Sequence, residues 1–274
     1  GDERPVISTG NYTHSIHHPI PDANYGYEGV MAGLVEPYIK INQQLLRCTD
    51  EEAKDLKLMQ QFFRRTDLGP EPRHGSTTAG ERPRGWHMDQ AFLPRHYDSR
   101  PREMFYHTIL ALHDVGQDCA PFFGARNSFR KAMELSRSIP PEQWDELVPA
   151  ADMTRTFLGG HLHRMAEERG EKILDPLDYE EVHWNEGDLV ILDPMCTHSG
   201  SSNGGGVPAR YALFTAMFHP AAVGTTLAGL KGRTAVSPAY KFPQCMRDAT
   251  KPELRSIYEW ELPEELPKES TPKL

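Results

Sequence analysis

Met104 to Val115 reads Met-Phe-Tyr-His-Thr-Ile-Leu-Ala-Leu-His-Asp-Val, a run dominated by aromatic, β-branched and other apolar residues. A run with so little polar surface to offer water is expected to be a buried strand. Strand signals recur at Leu189-Val190-Ile191-Leu192 and from Tyr211 to Phe218, with Ser201-Ser202-Asn203-Gly204-Gly205-Gly206 between them. That Gly-rich turn predicts that these two runs form an antiparallel hairpin. Leu58-Met59-Gln60-Gln61-Phe62-Phe63 begins another strand, ended by Gly69-Pro70-Glu71-Pro72.

Helical periodicity is confined to shorter stretches. Between Gly29 and Leu58 the residues Val30, Leu34, Tyr38, Ile41 and Leu45 recur at helical spacing, and Thr49-Asp50-Glu51-Glu52 has the form of a helix start, so two helices are predicted there. Residues 131–180 change character, with Pro140-Pro141 and Gly159-Gly160 between short helical signals. They read as a helical insertion and a candidate lid. Residues 1–28, with three prolines and no periodicity, read as an irregular arm, and the Pro- and Glu-rich 261–274 as a frayed tail. The 274 residues are expected to form a single domain.

Charge and composition narrow the function. A net charge of -9 opposes the basic patches that bind nucleic acid, so no nucleic-acid partner is expected. No segment reaches the apolar length of a membrane span, and no membrane association is expected. Four cysteines lie far apart, without a Cys-x-x-Cys pair, which suits reduced thiols and a cytoplasmic location. The opening Gly1-Asp2-Glu3-Arg4-Pro5 carries no signal-peptide pattern. A small-molecule substrate is the expected partner.

The residues that carry chemistry are few. His87 and Asp89 stand at i and i+2, so on extended backbone both side chains point the same way and reach one ion. His198, expected to end the strand run Leu189 to His198, supplies a second imidazole, and two histidines with one carboxylate form the facial set that leaves metal positions open. Arg210, twelve residues further on, can return towards the ion and grip a carboxylate with two parallel N–H groups.

These segments resemble the phytanoyl-CoA dioxygenase family of iron(II)- and 2-oxoglutarate-dependent oxygenases. The resemblance rests on Trp86-His87-Met88-Asp89-Gln90, Gly187-Asp188, His198, Asn203 and Arg210. It departs at Cys119-Ala120, where the family has Asn-Gly, and at Asn127-Ser128-Phe129-Arg130, where Gly-Ser-His-Arg is usual. The resemblance implies a mainly β fold with peripheral helices, a double-stranded β-helix or cupin-like jelly roll. It implies Fe(II) held by His87, Asp89 and His198, with 2-oxoglutarate and O2 as co-substrates and Arg210 as the anchor of the keto acid. The implied outcome is hydroxylation of an unactivated C–H bond, with release of succinate and CO2. The family's co-substrate serine, two positions beyond the distal histidine, is Gly200 here, so the flanking Ser199 and Ser201 are the candidates for that contact. The carboxylate of Asp89 argues against halogenation, since halogenating relatives lack it.

Trp86, Gln90 and His107 are candidates for the substrate mouth or for hydrogen bonds to the metal ligands. His107 and His113, six apart, share a face of the long strand. Cys196 alternates onto the face of His198 and reads as a small core residue. His161-Leu162-His163 reads as a loop pair, because no further ligand stands at familiar zinc spacing. Arg64 and Arg65 read as solvated surface charge or as aids to an anionic ligand, and Gly204-Gly205-Gly206 as a turn, since no Lys-Ser/Thr follows it. Two other functions remain open to the sequence: a cupin-like protein that binds a metal or small ligand without turnover, and a cupin oxygenase that does not use 2-oxoglutarate.

Overall fold

The strands, in chain order, are β1 (Thr13–Ile16), β2 (Lys57–Asp67), β3 (Phe105–Ala111), β4 (Phe122–Ala125), β5 (Tyr179–Val182), β6 (Leu189–Leu192), β7 (His198–Gly200) and β8 (Ala209–Phe218). They are seen in a computed structural model that describes residues 13–16, 32–67, 86–147, 158–174, 178–201, 203–207, 209–222 and 244–260. The expected tail at 261–274 and the side chains of Arg64 and Arg65 lie outside the described residues.

β8 is buried along its length except at Tyr211 and Phe214, which is the pattern of a strand covered on both faces. It sits in the middle of a five-stranded antiparallel sheet of order β1-β2-β8-β3-β6, and a second sheet has the order β5-β4-β7. Ile109, Ala111 and Ala212 of the larger sheet share a buried cluster with Phe122 of the smaller, so the two sheets face one another. This is the mainly β, cupin-like jelly roll with peripheral helices that the resemblance implies.

One pairing differs from expectation. β6 and β8 do not form a hairpin; β3 lies between them, with His107 opposite both Leu192 and Ala216. The Gly-rich segment instead joins β7 in the small sheet to β8 in the large one. A second difference lies in the expected irregular arm, where Thr13–Ile16 pairs with Phe63–Thr66 of β2.

The helices are α1 (Val35–Leu45), α2 (Pro94–Asp98), α3 (Ser128–Arg137), α4 (Leu158–Glu168) and α5 (Gln244–Ala249). The second helix expected before Leu58 is a single 3-10 turn, Glu52–Asp55. Val35 and Tyr38 of α1, with Ile257 and Tyr258, cover the outer face of the large sheet against Leu58, Leu213 and Met217. The helices of the 131–180 segment are not superficial: Leu135, Leu158, Leu162 and Ala166 join Phe92, Phe105 and Phe218 in the largest buried cluster. Burying each such Leu or Phe contributes about 1.5–3 kcal/mol, which fixes these helices over one end of the roll. Among the described residues no helix is long and apolar enough to cross a membrane.

Candidate metal centre

Two distant segments are tied together before any side chain acts. His87 and His198 form a reciprocal backbone bridge, the His87 N–H donating to the His198 carbonyl at 3.0 Å and the His198 N–H to the His87 carbonyl at 2.8 Å. Two residues on, the Asp89 N–H donates to the Pro194 carbonyl at 2.9 Å, and the Gln90 N–H shares that acceptor at 3.2 Å. The His-x-Asp segment therefore runs as an added strand beside residues 194–198. Its alternation aims His87 and Asp89 to one side, where His87 Nε2 lies 3.5 Å from Asp89 Oδ1 and His198 Nε2 lies 3.6 Å from Asp89 Oδ2.

Ligand atoms of His87, Asp89 and His198 all lie within 4.8 Å of one another. Around an ion with bonds near 2.1 Å, six-coordinate geometry sets neighbouring ligand atoms about 3.0 Å apart and opposite ones about 4.2 Å, so small side-chain rotations bring this set onto one ion. Two observations favour that fit. The His198 Nδ1–H donates to the Cys196 carbonyl at 2.9 Å, which fixes the tautomer that leaves the Nε2 lone pair for a metal. The Phe122 ring stacks on His198, with centroids 4.9 Å apart, and holds its plane.

The protonation states suit a cation as well. Burial alone would raise the Asp89 carboxyl, but the imidazoles of His198, His107 and His87 outweigh it and hold the group well below the usual carboxylate range. Burial pushes His198 down to about 4, which keeps that ring neutral at neutral pH. An ionised carboxylate beside the neutral His198 imidazole suits a divalent transition metal.

Arg210 lies on the interior face of β8, the face that also carries Ala216 opposite His107. It is buried, and its guanidinium donates from Nη1 to the Ala120 carbonyl at 2.7 Å and from Nη2 to Thr66 Oγ1 at 3.1 Å. Ala120 precedes by two residues the Phe122 that stacks on His198, a span of about 7 Å of extended chain. The fork is thus held on the small sheet's side of the interior, along the strand that leads to the triad. Asn203 braces the same corner, its Nδ2 donating to the Val207 and Thr66 carbonyls at 2.9 and 3.3 Å.

The other candidates are placed variously. His107 reaches Asp89, with Nε2 at 3.3 Å from Oδ2. Gln90 is buried beside the ligand segment. Register puts Phe122 and His198 on one face of the small sheet and Phe123, Ser199 and Tyr179 on the other. Trp86 packs against Tyr179, with centroids 6.0 Å apart, on that second face. Ser199 Oγ donates to the Gly200 carbonyl at 3.0 Å and Ser201 Oγ to the Pro121 carbonyl at 2.6 Å. His113 stands beyond the end of β3, where its Nε2 accepts the Tyr211 N–H at 2.9 Å. Cys196 lies half-buried near Ser128, its sulfur 4.0 Å from Oγ. His161 and His163 lie within α4 and not in a loop, and Arg164 Nη2 donates to His161 Nδ1 at 2.9 Å. The glycine turn is held by the Asp118 carbonyl, which accepts from the Gly204 and Gly206 N–H groups.

A supporting group went unnoticed in the sequence. Asp193 Oδ1 accepts from the Tyr97 hydroxyl at 2.8 Å and from the Met195 N–H at 2.9 Å. This fixes the turn whose Pro194 carbonyl holds Asp89. The Asp-Pro pair just before the strand of His198 was the available signal, since aspartate bonding to the N–H two residues on is a turn former.

No protein-family model matches the chain, and no curated protein matches it. Among solved structures the chain is similar to HygX from Streptomyces hygroscopicus with nickel and 2-oxoglutarate bound, at 13% identity and a TM-score of 0.43, over 80% of this chain and 75% of that one. It is similar to SnoN, described as a non-heme alpha ketoglutarate dependent epimerase from nogalamycin biosynthesis, at 14% identity and a TM-score of 0.43, over 84% and 76%. A third likeness is to EvdMO1, at 12% identity and a TM-score of 0.42, where 78% of this chain spans 38% of that chain's length.

Proposed function

We propose that this protein is an Fe(II)- and 2-oxoglutarate-dependent dioxygenase, similar to the phytanoyl-CoA dioxygenase family, that hydroxylates an unactivated C–H bond of a small organic molecule in the cytoplasm. The observation that carries the reading is the convergence of His87, Asp89 and His198 on one point, with a buried cationic fork on the same interior. Bound iron supplies the activation of O2 and the coupled decarboxylation of the keto acid to succinate and CO2.

The chain's own residues supply the rest. His87, Asp89 and His198 hold the ion and leave part of its surface open. Arg210 binds the distant carboxylate of the co-substrate, and the Ala120 carbonyl and Thr66 hydroxyl fix the plane of that fork before the ligand arrives. His198 is kept deprotonated at Nε2 by its bond to Cys196. His87 is the most exposed of the three ligands, with 39% of its side chain accessible, so the substrate approaches from its side.

The test is an anaerobic titration with Fe(II) and 2-oxoglutarate, following the visible charge-transfer band of the chelate. Native protein develops the band and Arg210→Ala loses it. A metal-binding protein without turnover, or an oxygenase that does not use the keto acid, develops no band with 2-oxoglutarate in either form.

A further inference from the structure

Asp89 is met by three imidazoles, and only two of them belong to the ligand cluster. His107 Nε2 lies 3.3 Å from Asp89 Oδ2, closer than His198 Nε2 at 3.6 Å. Yet the atoms that all lie within 4.8 Å of one another are those of His87, Asp89 and His198. Opposite ligands on one ion stand only about 4.2 Å apart, so a ring outside that cluster is not a fourth ligand in this arrangement. Its backbone is fixed between β6 and β8, and its ring meets Phe105 edge-on with centroids 5.1 Å apart.

Metal binding changes what the other two rings can offer. His87 and His198 direct the Nε2 lone pair to the ion and have no N–H at that atom for the carboxylate. A carboxylate bound through one oxygen needs a donor on the other, and such outer bonds set the orientation of ligating groups. We propose that His107 is the positioning residue of this centre, donating its Nε2–H to Asp89 Oδ2 and turning the carboxylate so that its other oxygen faces the metal. The proposal rests on the metal-centre reading of the triad and does not depend on which co-substrate is used.

The test uses Co(II) alone, without keto acid or O2, titrated into the native protein and variants. His107→Phe weakens Co(II) binding by about 10–100-fold, the usual effect of removing an outer-shell partner, and leaves the class of the visible Co(II) spectrum unchanged. His107→Gln, which keeps an N–H donor, recovers most of the loss. In an Asp89→Ala background, titrated to millimolar metal, His107→Phe has no further effect. Unchanged affinity in His107→Phe overturns the proposal. So do additive losses in the double variant, or a change of coordination class, which would make His107 a ligand. A native protein that binds no Co(II) overturns the metal-centre reading together with it. If Co(II) behaves as expected and the keto-acid band never forms, the oxygenase reading fails and His107 keeps its role.

Discussion

Replacing Asp193 with asparagine isolates the cost of a buried charge beneath the metal centre. Asp193 is pushed up from 3.8 to about 6, chiefly by burial, against the lowering effects of the Met195 N–H, the Tyr97 hydroxyl and Arg102. A folded value above the unfolded one means the folded chain holds the proton more tightly. Stability from this group is complete below about pH 4 and is lost as pH rises through about 6. A difference of about two pH units corresponds to at most about 3 kcal/mol of penalty at pH 8. Asparagine keeps an oxygen for Tyr97 and Met195 and removes the titration. Urea unfolding of Asp193→Asn between pH 3.5 and 8.5 is expected to match the native protein at the acid end, to exceed it increasingly between about pH 4 and 6, and to keep a constant excess above that. Tyr97, Tyr106, Cys196 and Arg102 are titratable or charged groups around it, and burial raises the tyrosines and the thiol, so none of these three ionises in this window. A constant loss of stability at every pH, with no divergence between about pH 4 and 6, would refute the reasoning.

Two further outcomes follow from other parts of the fold. His96 is buried, its Nδ1 accepts the Leu93 N–H at 3.0 Å, and burial lowers its pKa from 6.5 to about 4. Its contribution is therefore present above pH 6.5 and lost as pH falls towards 4, by at most about 3 kcal/mol, and His96→Gln should flatten acid unfolding across that window when followed by circular dichroism. A Cβ on Gly206 would stand 2.6 Å from Cys119 Sγ and 3.1 Å from the Asp118 carbonyl, so Gly206→Ala should cost about 1–3 kcal/mol in chemical denaturation, and Cys119→Ala in the same chain should return part of it.

The clustering of His87 with Asp89 was legible because its logic is local: two residues apart on extended chain means one side. His198 joins them from a place the sequence did not foresee, since it opens β7 in the small sheet and does not end the strand that begins at Leu189. Strand partners were not legible in the same way. The glycine turn before β8 has the look of a hairpin, but β8 pairs with β2 and β3, whose sequences lie far upstream. Nor was α4, where Gly159 and Gly160 suggest a loop; Leu158, Leu162 and Ala166 fall on one helical face, and their burial outweighs the glycine cost of about 1 kcal/mol each. Backbone shape at two positions was not legible either: Ala120 and Asn127 take left-handed φ values of 56° and 59°. The chain keeps the backbone shape that glycine serves elsewhere and accepts the strain, mildly at asparagine and more at alanine. The Tyr97–Asp193 contact joins residues 96 apart in sequence, beyond the reach of any periodicity.

The mutual bridge between His87 and His198 makes the cluster a clasp. An ion gripped there would fasten the chain across more than a hundred residues, so its release would remove a long-range fastening. Occupancy and resistance to unfolding are then one equilibrium viewed from two ends: starving the protein of metal makes it easier to unravel, and anything that slides residues 194–198 out of step with the His-x-Asp segment empties the grip.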